Sequence, residues 1–277
     1  MKMGYATMSF GEQPIDIAIG AVSRLGFDGI EICTWKGLPA DLDLLDEERQ
    51  TEIKNLAEEA GLIINAVGGH VGYIEKDEKK RIASINRTKK NIDLAVELGA
   101  TVVDTFSGAS REDIPEEKAW ELLVDSISDC ADYGAERGVF IGFEPHTGML
   151  VDTPEKVLRL LSSVKSSSLR VNLDVSHFAI FGLHIPDVVR MLSRHIIHTH
   201  LKDVRGLYPD FQFLIPGEGD LNIGEFVMAL KENGYDGFVT SEISVMRQRW
   251  CDYDPFYAAE LTHRTVSYVF KELGLRH

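Results

Sequence analysis

Four residues that could do chemistry each stand at or near the end of a short strand-like run: Glu144 after Gly142-Phe143, Asp174 after Asn172-Leu173, His200 within His198-Thr199-His200-Leu201, and Glu242 after Thr240-Ser241. Three carboxylates brought to one point repel one another unless a cation lies between them. Oxygen-rich donors with a single imidazole suit Mn²⁺, Mg²⁺ or Co²⁺ better than a structural zinc. The reading is therefore one divalent metal ion held by Glu144, Asp174, His200 and Glu242, with Mn²⁺ expected first and Mg²⁺, Co²⁺ or Zn²⁺ as the other choices. Any one of these acids alone reads equally well as a helix cap or an ion-pair partner. Their succession in four neighbouring runs favours the joint site. Cysteine does not compete for this role: Cys33, Cys130 and Cys251 are far apart and form no Cys-x-x-Cys pair, which fits reduced thiols.

Such convergence needs elements that deliver it. Short apolar runs recur at 4–7, 29–33, 62–67, 101–105, 139–144, 169–174, 196–201 and 237–242, with helical patterns between them. Several are unbroken and rich in Val and Ile, as expected of parallel strands covered on both faces. In the helical segments, Ile82, Ile85, Ile92, Ala95 and Val96 are predicted to form one apolar stripe, and Ile53, Leu56, Ala57 and Ala60 another. Gly26, Gly61 and Gly99 follow helical segments and are expected to supply left-handed caps. Eight strand-helix units in 277 residues fit an α/β fold, a (β/α)8 TIM barrel in a single domain over 1–277. A doubly wound sheet is the alternative, but Met8-Ser9-Phe10-Gly11 after the first strand is no glycine-rich phosphate loop. A barrel gathers the ends of its strands at one face, which places the four residues together.

Other polar groups stand at the same level. Glu31, His70 and Asp104 end earlier strands, while His146 and His177 open the loops after Glu144 and Asp174. Glu31, His70, His177 and Arg205 are the candidates for contact with substrate. His198, two residues before His200, shares its face and is expected deeper in the barrel, supporting it. His184, His195, His263 and His277 read as surface or packing residues. In Pro216-Gly217-Glu218-Gly219-Asp220 the glycines allow a tight path, and Asp220 is predicted to cap the helix beginning near Asn222. Glu218 and Asp220 would repel a phosphate unless Arg205, Arg247 or Arg249 countered them, so an uncharged sugar is favoured. Phe10, Trp35, Tyr208 and Trp250 could stack on a sugar ring or simply pack.

Lys and Arg number 29 against 44 Asp and Glu, a net charge of −15 that repels phosphate backbones and anionic membrane surfaces. No nucleic acid and no membrane is expected as a partner. No apolar run approaches the roughly 20 residues of a membrane span, and a cytoplasmic location is expected. Whether the chain forms a homo-oligomer is left open.

The motifs Gly26-Phe27-Asp28-Gly29-Ile30-Glu31, Glu144-Pro145-His146, Asp174-Val175-Ser176-His177, His200-Leu201-Lys202-Asp203, Gly217-Glu218-Gly219-Asp220 and Ser241-Glu242 give the chain, over nearly its whole length, a resemblance to the xylose isomerase-like barrels. The branch it resembles contains tagatose and psicose 3-epimerases, hydroxypyruvate isomerase and inosose dehydratase. The resemblance implies a divalent metal at Glu144, Asp174, His200 and Glu242, and a substrate-contacting histidine at His177. The epimerases carry an arginine six residues beyond the metal histidine, where this chain has Arg205 at five. The DNA-repair endonucleases of the same superfamily need three zinc ions and a basic face. His70 could match one of their ligands, but Arg205 stands where a second histidine is required, and the net charge has the wrong sign.

The expected activity is that of a metal-dependent sugar isomerase or epimerase acting on a small sugar or polyol. A keto sugar bound at the metal would have its α-proton acidified, and Glu144 or Glu242 would take it. Loss of a hydroxyl from the same enediolate would make a dehydratase instead, and a non-catalytic sugar- or partner-binding barrel is the reading from another class.

Overall fold

The computed structural model describes residues 1–109 and 113–276. Each of the eight apolar runs is a strand: β1 (Lys2–Ala6), β2 (Gly29–Cys33), β3 (Ile63–Gly68), β4 (Val102–Thr105), β5 (Phe140–Phe143), β6 (Leu169–Asp174), β7 (Ile196–Leu201) and, after a hairpin of β8 (Asp203–Leu207) and β9 (Asp210–Leu214), β10 (Phe238–Ser241). These eight strands close in the order β1-β10-β7-β6-β5-β4-β3-β2. Because β1 pairs in parallel with both β2 and β10, the sheet has no edge, and the doubly wound alternative is excluded. Helices join successive strands and cover the outside. β2 is buried along its whole length, as a strand facing both a filled barrel and a helical layer must be.

The helical layer agrees with the sequence reading in part. Gly26, Gly61 and Gly99 adopt positive φ of 90°, 71° and 76°, as expected of left-handed caps. In the helix Glu78–Leu98, however, Ile82 and Val96 are 45% and 46% exposed, so they do not belong to the predicted stripe. The buried face includes Thr88 and Asn91 instead. The Thr88 hydroxyl lies 2.6 Å from Tyr73 Oη, and Asn91 Oδ1 accepts from Thr34 at 2.8 Å while its buried Nδ2 has no hydrogen-bond partner. In the helix Glu47–Glu59, Ile53 and Ala57 are buried, while Leu56 is only half-buried.

The β8–β9 hairpin was not foreseen. It is anchored by Asp203, a buried carboxylate whose Oδ1 accepts from Val204 N (2.8 Å) and Leu221 N (3.0 Å) and whose Oδ2 accepts from Gly217 N and Gly219 N, both at 2.9 Å. A Cβ on Gly219 would lie 2.4 Å from Asp203 Oδ1, so the close approach requires glycine. Asp220 does not cap the following helix. Asn222 does, accepting from Glu225 N at 3.1 Å, because Asp220 lies two residues too early and pairs with Arg205 at 3.7 Å. Asp203→Ala leaves four backbone donors without their acceptor. We expect a loss of about 3 kcal/mol or more, read in thermal unfolding as a fall of roughly 5–10 °C, with Asp203→Asn falling less.

Candidate active site

The strand register sets the site. Asp174 of β6 lies beside His200 of β7, which lies beside Thr240 of β10, and Glu144 and Glu242 each follow directly on their strands. One donor atom from each of Glu144, Asp174, His200 and Glu242 falls within 4.8 Å of all the others, and all four residues are buried. His200 Nδ1 is 3.1 Å from Glu144 Oε1 and 3.6 Å from Glu242 Oε2. Its other nitrogen, Nε2, is 2.9 Å from Glu31 Oε2, which fixes the ring and turns Nδ1 toward the three carboxylates. Three hard oxygen donors and one imidazole, oriented from behind, fit a divalent cation.

Glu31 is therefore not placed as a substrate contact. It lies beneath the ligand group, accepting from His200 and from His198 Nε2 at 3.1 Å. Burial would raise its carboxyl, but the two imidazoles outweigh that and hold it below the usual carboxylate range. His198 thus supports His200 through Glu31, from the deeper position the strand period implies.

The face toward solvent holds a cavity of about 260 Å³ lined by Met8, Trp35, His70, Phe106, Glu144, His146, Lys202, Glu242, Ser244 and Val245. His70 lines it as expected. Its Nε2 touches Asp104 Oδ2 and is 3.3 Å from Glu144 Oε2. Burial disfavours its charge, yet Asp104 and Glu144 raise it to about 9. Asp104 is held in turn by Asn172, which donates to Oδ1 at 2.7 Å.

His177 sits lower than expected, fully buried, with Nε2 3.6 Å from Asp174 Oδ2 and without a hydrogen-bond partner. Burial pushes it down to about 3 against the pull of Asp174, so it is a neutral ring. Thr147 Oγ1 lies 3.0 Å from Nδ1. Rings from successive loops form an arc round the mouth: Trp35 on His70 (5.1 Å between centroids), His70 on Phe106 (4.5 Å), Phe106 against His146 (6.0 Å), His146 against His177 (3.9 Å) and His177 against Phe213 (5.0 Å).

Lys202 was passed over in the sequence. Its Nζ touches Asp174 Oδ2 and Glu242 Oε2 and lies 3.7 Å from Glu144 Oε1. Burial would lower its pKa, but the carboxylates of Asp174, Glu242 and Glu144 together hold it well above the ordinary lysine value. Its position two residues beyond His200 was the available signal, since that spacing keeps a side chain on the same face of the strand.

The family model of the xylose isomerase-like TIM barrel matches residues 19–262. The chain belongs to this family. It is similar to fructoselysine 3-epimerase from Shigella flexneri, 29% identical over 255 residues that cover 89% of this chain and 91% of that protein. It is also similar to an inosose dehydratase from Clostridium beijerinckii, 23% identical over 258 residues, 83% of this chain and 82% of the relative. The D-psicose 3-epimerase of Clostridium cellulolyticum H10, solved with D-tagatose, superposes with a TM-score of 0.83 over 100% of both chains at 19% identity, a likeness of fold.

In this xylose isomerase-like barrel, not every predicted residue reaches the mouth. Arg205 is an exposed residue of β8; it donates to the Glu218 carbonyl and pairs with Asp220, because the hairpin carries it away from the cavity. Arg247 is buried and committed, donating to both oxygens of Glu218 at 2.9 Å and to Asp252 at 2.9 Å. Of the aromatics, Trp35 lines the cavity. Phe10 is core, packed on Tyr5 and Phe256, and Tyr208 lies against Phe181 and Phe211. Trp250 lies under the Arg247 guanidinium. His184 is exposed, His195 is half-buried, and His263 packs on Phe27; His277 lies outside the described residues. No helix among the described residues is long and apolar enough to cross a membrane.

Proposed function

We propose that the protein is a divalent-metal-dependent sugar isomerase or epimerase that moves a proton at the carbon beside a ketose carbonyl. The observation that carries this reading is that Glu144 and Glu242 belong to the ligand group and also line the cavity, so each meets substrate directly. Their environments push them apart. Burial lifts the Glu242 carboxyl above its ordinary range, whereas Lys202, His200 and His70 outweigh burial at Glu144 and hold it well below. Standing at the ends of β5 and β10, the two carboxyls can serve as proton acceptor and proton donor from different sides of a substrate. Removal from one face with return from the other inverts the carbon, and return to the neighbouring carbon isomerises it.

A bound divalent cation, for which we propose Mn²⁺, would supply Lewis acidity that stabilises negative charge on the substrate's oxygens. His70, set between Asp104 and Glu144, donates to a substrate oxygen at the cavity wall. His177, with its unpartnered Nε2 beside Asp174, supports the floor of the site. A cavity of about 260 Å³ admits one compact sugar or polyol, and the commitment of Arg247 to Glu218 and Asp252 favours an uncharged one. The relatives that are inosose dehydratases support a second reading, elimination of water from the same enediolate. A cytoplasmic setting goes with either.

The test is a panel of ketoses and inososes incubated with protein and Mn²⁺ in deuterium oxide. Deuterium in a rearranged sugar, abolished by chelator, is the expected result. Loss of water identifies the dehydratase. Neither exchange nor product, with all four ligand residues intact and metal bound, overturns the enzymatic reading.

A further inference from the structure

His198, His200 and Lys202 are successive residues on the inner face of one strand and its extension. They climb from the barrel floor to the mouth. The first two are tied to Glu31 and, for His200, to Glu144. The third delivers an ammonium to Asp174, Glu242 and Glu144, the three carboxylates of the ligand group. Lys202 is 5% exposed, and it also lines the cavity. One side chain thus faces both the ligand group and the space meant for substrate.

A divalent cation and this ammonium claim the same three carboxylates. In a buried site two such charges repel strongly, and the carboxylates cannot serve both at contact distance. Lysine is suited to yield, because its charge rides on four flexible methylenes and can swing without any change in the backbone. The cavity it already lines is open to it, while Asp203, the next residue, is pinned by four backbone donors.

We propose that Lys202 is an exchangeable counter-ion: it holds Asp174, Glu242 and Glu144 until a divalent cation takes them, and its released ammonium then enters the cavity as a hydrogen-bond donor to the substrate. The inference rests on the metal-dependent reading above. It gives the site a second donor, one that is placed for work only when the metal is bound. The chain thereby couples loading of the metal to completion of the substrate-binding surface.

Two measurements test it. Lys202→Met removes the competitor, so its affinity for Mn²⁺, measured by calorimetry, should rise by about tenfold or more. Proton exchange on a substrate should fall in the same variant. A residue with a merely structural role would not move metal affinity and exchange in opposite directions. In the parent protein, amine labelling read by mass spectrometry should modify Lys202 slowly without metal and faster once Mn²⁺ is added, which needs no variant to fold. If the parent binds Mn²⁺ while Lys202→Met binds it equally or more weakly, or if labelling of Lys202 is unchanged by the metal, the exchange is wrong. If neither folded protein binds a divalent cation, the metal-dependent reading itself fails, and this inference with it.

Discussion

Glu144→Gln and Glu242→Gln will each lower deuterium exchange at the substrate carbon by about 10²- to 10⁴-fold, the contribution of a positioned general acid or base. Glutamine keeps the shape and one ligating oxygen, so the variants separate proton transfer from architecture. The two need not fail alike. Glu144 follows β5 and Glu242 follows β10, so the two approach a substrate from different sides. In an epimerase, a variant lacking one partner still exchanges the proton on its own face and fails to complete inversion. Metal content must be measured alongside, because removing a carboxylate charge weakens cation binding as well. His177→Ala gives the contrast: it should raise the substrate KM while bound metal stays constant. Full exchange in both glutamine variants with metal retained would exclude a two-carboxylate mechanism.

Asp174→Ala and His200→Ala will abolish stoichiometric metal binding, whereas the parent takes up about one divalent ion per chain. Each removes a donor that converges with the other three, and His200 also carries the link to Glu31. Elemental content after reconstitution and gel filtration reads this directly. Removing the metal from the parent should lower the melting temperature modestly and leave the circular dichroism spectrum in place, because the barrel core is apolar and does not depend on the ion. Uptake by either variant equal to that of the parent would show that the ion lies elsewhere.

The strands were legible because a parallel barrel hides both faces of each, so its strands read as apolar runs, and a carboxylate at the end of such a run stands out. β2, β6 and β7 fall at the bounds read from sequence, and the convergence of Glu144, Asp174, His200 and Glu242 follows once the barrel is assumed. What stayed hidden depends on partners remote in sequence. Thr88 and Asn91 join the buried face of their helix because Tyr73 and Thr34 lie against them. Lys202 takes its place from three carboxylates that follow or end other strands. Glu31 was read as facing substrate because a strand end does not show the depth at which a side chain stops; two histidines from β7 place it beneath the site. The hairpin escaped notice because Gly206 and Pro209 interrupt a run whose apolar members, Val204, Phe213 and Leu214, pack only once Asp203 has gathered the loop.

The arc of rings from Trp35 to Phe213 makes neighbours of six segments that the chain keeps far apart. Each ring leans on the next, so the rim behaves as a single laminated wall and not as independent flaps. Changes at adjacent rungs should then be non-additive, since each ring between the ends of the arc packs against two others. A loop grafted singly from a relative would strip stacking partners from the loops on either side. A change of substrate preference in this barrel is accordingly expected to require exchange of neighbouring rungs together, which makes the rim, rather than any one loop, the unit on which selection or design must act.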